Sequence, residues 1–167
     1  MKVITNRVGG ALSAPRRGFR MSPAYVAGGI STVLLFATYL STAATDLTFW
    51  DASELATAAH TLGIPHPPGT PLWVLLGHVF SQWFSGIIGP ARAITLLSVV
   101  ASALVGGVGA AMAARWIGTR GAVAAAVSAG TMMTVWANAT ETEVYAVALL
   151  FSVVLLAAGE QIGRAHV

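Results

Sequence analysis

Six carboxylates carry most of the acid–base chemistry available to this chain: Asp46, Asp51, Glu54, Glu141, Glu143 and Glu160. They are not scattered. None precedes residue 46, none lies between 55 and 140, and the strings TDLTFWDASE and TETE hold five of the six. Asp51 and Glu54 are three apart, so on a helix they share a face. Two readings of that pair fit the residues. One is a capping box, in which Asp51 caps a helix and Glu54 reaches back to its start. The other is acid–base work, with Asp51 as the general base that takes a proton from an attacking hydroxyl. The readings are compatible, because a cap also fixes a carboxylate in place.

The residues after this pair are stiff. GIPHPPGTPLW carries Pro65, Pro67, Pro68 and Pro71, four of the seven prolines in the chain. Each removes a backbone donor and holds the chain extended or turned. Gly69 allows a close approach or an unusual dihedral angle. His66 sits inside this rigid stretch, and its bland reading is a hydrogen bond to backbone. His60 and His66 lack compact ligand spacing, so no metal site is expected. His78 falls inside an apolar run and reads as packed against a neighbouring helix. Phe49 and Trp50 suit a membrane interface, Phe49 especially.

These residues need elements to hold them. The chain has 167 residues, 56% hydrophobic and 9% charged. A soluble domain carries about 25% charged residues. With so few charges the surface must face lipid, so the class is integral membrane protein. Apolar runs cover 24–44, 71–89, 93–114, 122–137 and 144–159. None alternates at period two as barrel strands do. The reading is therefore an all-α membrane protein with about five transmembrane helices. A short amphipathic helix, DASELATAAHTLG, follows the first of them.

Five of the nine basic residues (Lys2, Arg7, Arg16, Arg17 and Arg20) precede the first run. That asymmetry puts the N-terminus in the cytoplasm and residues 45–70 on the outer face. It marks the positive charge as a topology signal, so no nucleic-acid partner is expected. Residues 1–23 read as a basic leader and 24–160 as one transmembrane domain. Five full spans would place Arg115 and Arg120 outside and NATETE inside, separating Glu143 from Asp51 by the bilayer. A short or re-entrant 122–137 segment would instead return Glu143 to the outer face. The closing IGRAHV breaks the apolar pattern, and its codons can spell a common sequencing adapter. The expectation is that native sequence ends near Glu160 and that 161–167 are artefact, on an N-terminal fragment of a longer protein.

The string TFWDASELATAAHTLGIPHPPGTPLWVLLG, followed by ITLLSVVASAL and TEVYAVALL, resembles a bacterial multipass family long described only as a domain of unknown function. That family is related to protein O-mannosyltransferases within the GT-C glycosyltransferases. The HPPG stretch is similar to the His-Pro-Pro segment of the O-mannosyltransferases. The resemblance covers roughly residues 24–159, and WDxxE…HPPGxPL is its specific part.

The resemblance implies a GT-C N-terminal module that moves a sugar from a polyprenyl-phosphate carrier to an acceptor hydroxyl on the outer face. Asp51 and Glu54 are then the catalytic acids. Trp50, His66, Pro67, Pro68 and Gly69 shape the donor pocket, and Glu143 belongs to a second motif. The departing lipid phosphate needs a cation, and Arg115 or Arg120 are the candidates named for it. The implied partners are the bilayer, the lipid-linked sugar and an acceptor protein or glycan. No cofactor beyond the donor is implied, and a divalent metal is left open. A transporter or a noncatalytic assembly subunit is the alternative.

Overall fold

The computed structural model describes residues 22–165 apart from Gly69. The basic leader up to residue 21, Gly69 in the expected donor loop, and residues 166–167 lie outside the described residues. Six helices account for nearly all of the described chain: α1 (Pro23–Thr42), α2 (Asp51–Thr61), α3 (Pro71–Ile88), α4 (Pro90–Gly130), α5 (Met133–Thr140) and α6 (Tyr145–Ala165). Four of them, α1, α3, α4 and α6, are long and apolar enough to cross a membrane. The all-helical expectation therefore holds. Lipid offers no partner to a bare backbone, and a helix satisfies its own donors and acceptors.

The number and course of the spans differ from the five runs read above. At 1.5 Å per residue the 41 residues of α4 would stretch about 60 Å, twice a hydrocarbon core. The helix is instead broken at Gly118, which has φ 70° and ψ 167°. Glycine alone takes such a conformation without a Cβ penalty.

Contacts with α1 show that the chain reverses there. Val99 and Ala103 cluster with Tyr39 and Ala43, near the end of α1. The Thr119 hydroxyl donates to the carbonyl of Pro23, at the start of α1. Tyr39 then donates to the Gly130 carbonyl at 2.8 Å, back near the end of α1. The two limbs of α4 thus run down and up beside α1. The 122–137 run is no independent span. It is split between the second limb of α4 and the short α5, with a break at Thr131–Met132.

We call the end that holds residues 43–70 the connector end, and the end that holds Pro23 and Gly118 the leader end. α3 stays at the connector end. Its Trp73 and Val74 pack with Leu97 and Ala101, and Gly89 at its C-terminus lines a cleft with Thr45, Asp46 and Leu47. α3, which is also long enough to span, packs on the first turns of α4 and on α2. The rest of α6 descends to the leader end, where Glu160 pairs with Arg115.

The bundle is held by small residues. Ala27, Ser31, Leu35 and Tyr39 form a buried stripe at i, i+4 spacing on α1. It faces the glycine- and alanine-rich limbs of α4, and such residues let helix backbones approach closely in lipid.

Candidate active site

Asp51 is the first helical residue of α2. The residue at the cap position is Trp50, and no side chain caps the helix. The capping box therefore does not form. Glu54 turns away to His66: its Oε1 accepts the His66 backbone N–H at 2.6 Å, and its Oε2 accepts from Nδ1 at 3.0 Å. The reason lies in the sequence. Pro65, Pro67 and Pro68 have no N–H, so within 65–68 only His66 offers an amide donor. Glu54 takes both the backbone and ring donors of that one residue. The other ring nitrogen, Nε2, lies 3.9 Å from Asp51 Oδ2. His66 is thus held between the two carboxylates.

This clasp shifts both partners. Hydrogen bonds from His66 lower the Glu54 carboxyl below its ordinary range. The hydrogen bond to Glu54, with its charge and that of Asp51, raises His66 above the ordinary imidazole value. The sign follows directly. A raised histidine keeps its partner fully below about pH 6.5 and loses it as pH rises through the raised value. A lowered glutamate loses its partner only as pH falls through the depressed value. The clasp therefore persists over the interval between. A ring-proton titration of His66 by NMR is expected to give a midpoint above that of free histidine. Glu54→Gln is expected to bring that midpoint down.

Glu143 comes to the same end. It lies in the non-helical segment 141–144 between α5 and α6. Thr140 accepts the N–H of Ala44 at 2.8 Å, tying this segment to the end of α1. Thr142 and Thr95 pair their hydroxyls at 2.9 Å in a buried contact. The Glu143 carbonyl accepts from the Trp73 indole N–H at 3.2 Å. Burial raises the Glu143 carboxyl above the ordinary glutamate range, and the charges of Asp51 and Glu141 raise it further. The structure therefore decides the side of the bundle left open by the sequence. The reversal at Gly118 returns Glu143 to Asp51.

Other expected site residues are placed as follows. Trp50 is 94% exposed beside Asp51 and has φ 63°, rare for a bulky residue. Pro67 is exposed. Pro68 lines an open cleft of about 510 Å³ with Leu62, Ile64, Pro71 and Leu75.

Arg115 and Arg120 are not brought to the carboxylates. Arg115 lies at the leader end, paired with Glu160 and over the Trp116 ring. Arg120 follows Gly118 at that same end. Twenty-five residues of helix separate Arg115 from Pro90, about 37 Å. The internal arginine at the connector end is Arg92, in the first turn of α4.

His78 Nδ1 donates to the Ala59 carbonyl at 2.9 Å, the packing role expected of it. His60 Nδ1 meets the buried Ser81 hydroxyl at 2.7 Å. Among the described residues no group of three or more His, Cys, Asp or Glu side chains is placed to hold a metal ion. Ser98, Thr95 and Trp73 went unnoticed in the sequence, because nothing in an apolar run distinguishes a serine that bonds across helices from one that bonds within its own.

A model of the "Protein O-mannosyl-transferase TMEM260 N-terminal domain" matches residues 51–166. A 32-residue stretch is 53% identical to "Protein O-mannosyl-transferase tmem260" of Dictyostelium discoideum. That stretch is 19% of this chain and 4% of the relative, so the match spans a small part of the curated protein's length. No solved structure matches. The matched region begins at Asp51 and takes in the clasp, helices α2 to α6 and the Glu143 segment, and the chain belongs to the TMEM260 N-terminal domain family of protein O-mannosyl-transferases.

Proposed function

We propose that the protein containing this chain transfers mannose from a polyprenyl-phosphate carrier to a hydroxyl of an acceptor protein or glycan. The site proposed for the transfer is the connector end, on the outer face of the membrane. One observation carries the reading. Carboxylates from two strings 90 residues apart converge at one end of the bundle, with His66 between two of them.

Asp51 takes the proton as the acceptor oxygen attacks the anomeric carbon. The bond from that carbon to the carrier phosphate breaks, and its electron pair leaves with the phosphate. Asp51 then returns the proton to water. Glu54 and His66 hold each other and fix the loop beside Asp51. Glu143, beside Asp51 and raised above the ordinary glutamate range by burial, offers a hydrogen-bonding group to the sugar. Arg92 is the internal arginine on the right side of the bundle to meet the developing phosphate charge.

The test is transfer of labelled mannose from its polyprenyl phosphate to a serine- and threonine-containing peptide by the full-length protein in liposomes. Label on the peptide is expected. Its absence with every carrier and acceptor tried would remove the reading. In the same assay Arg92→Ala is expected to lower turnover by about tenfold or more, while Arg115→Ala leaves it within about twofold. The reverse order would move the phosphate to the leader end.

A further inference from the structure

Hydroxyls on these helices mostly serve their own helix. Thr38, Thr57, Thr61, Thr131 and Ser152 each donate to the carbonyl four residues back, the usual habit of serine and threonine in a helix. Ser98 does not. It is fully buried on α4, and its hydroxyl crosses 45 residues of sequence to Glu143. There it donates to the Glu143 carbonyl and accepts from the Glu143 N–H, both at 3.2 Å. One side chain thus satisfies both backbone polar groups of one residue. The Trp73 indole adds a second donor to that carbonyl. Thr95, one turn earlier on α4, holds the neighbouring Thr142. Segment 141–144 has no helix of its own to order it; these bonds hold the Glu143 backbone, and the Val144 N–H donates to its carboxyl.

We propose that Ser98 is a positioning residue: by clasping the backbone of Glu143 it holds that carboxyl within the field of Asp51. The role in transfer rests on the function proposed above, but the clasp itself does not. Ser98 touches neither donor nor acceptor, and it acts only through Glu143. A buried serine about two turns into an apolar helix is thereby tied to the chemistry at its end.

The proton affinity of Glu143 reports its burial and its nearness to Asp51 and Glu141, so it changes when the segment moves. The experiment is a pH titration of ¹³C-labelled glutamate side chains by NMR, on the whole chain in lipid nanodiscs. Glu143 is expected to titrate above ordinary glutamate in the unmodified chain. Ser98→Ala is expected to bring it down toward the ordinary range, with the helical circular dichroism unchanged. Ser98→Thr keeps a hydroxyl and is expected to retain most of the elevation. Ser81→Ala, at an equally buried serine on α3, is expected to leave Glu143 where it is.

An unchanged Glu143 titration in a folded Ser98→Ala chain overturns the proposal. Should that chain not fold, Ser98→Cys keeps a side chain of similar shape but makes only weak hydrogen bonds and is expected to shift Glu143 the same way; no shift there overturns it equally. Failure of the transfer reading looks different: Asp51→Asn would leave mannose transfer intact while the Ser98 titration still behaved as described.

Discussion

Asp51→Asn in the full-length protein is expected to cut mannose transfer by about two to four orders of magnitude, the range for loss of a general base, while membrane insertion and amount are unchanged. The substitution keeps size and shape but removes the ability to take a proton. Its structural cost is small, because the Asp51 side chain is about two-thirds exposed and caps nothing. The clasp beside it also survives, since Glu54 alone makes both close contacts with His66. Loss of activity would therefore report chemistry rather than unfolding. Glu54→Gln is the instructive comparison. It leaves one acceptor oxygen for the two donors of His66, so it should loosen the site and weaken transfer less steeply. Transfer at the normal rate by Asp51→Asn would exclude this residue as the base.

The second large effect concerns the bundle. Gly107→Leu is expected to destabilise the fold by about 1–3 kcal/mol or more, the usual cost of forcing extra atoms into a packed interface. At Gly107 a Cβ would come within 3.0 Å of the Gly28 carbonyl oxygen and would run into the Thr32 side chain. At Gly28 a Cβ would sit 3.0 Å from the Gly107 carbonyl oxygen. The two glycines mark a close approach of the α1 and α4 backbones, and a backbone oxygen cannot swing aside as a side chain can. Thermal unfolding in detergent gives the measurement, with Gly29→Ala as control. A Cβ there meets nothing within 4 Å, so Gly29→Ala is expected to be neutral or mildly stabilising through helix propensity. Equal unfolding temperatures for Gly107→Leu and the unmodified chain would show that this crossing does not hold the bundle.

Some of this was legible in the chain itself. Composition required helices in lipid. The run at 24–44 became α1 within two residues at each end. The string DASE…HPP marked the residues that form the clasp, because prolines and carboxylates are informative in a chain this short of both charge and rigid segments. The pairing inside that string was not legible there. Glu54 had two possible partners, its own helix start or His66, and the prolines on either side of His66 settled the choice by leaving its amide as their only donor.

What tertiary structure alone decided was direction. Hydropathy measures whether a run is long enough to cross a bilayer; it carries no information on whether the chain crosses, reverses or lies alongside. Gly118 turned one apolar stretch into two limbs, and α3 packed beside the first turns of α4. Those two facts placed Glu143 with Asp51 and left Arg115 with Glu160 at the opposite end. They depend on which small residues meet across helices, as Gly28 meets Gly107 and Gly77 meets Ala59 and Ile94. Such contacts join residues far apart in sequence, where local pattern has no reach.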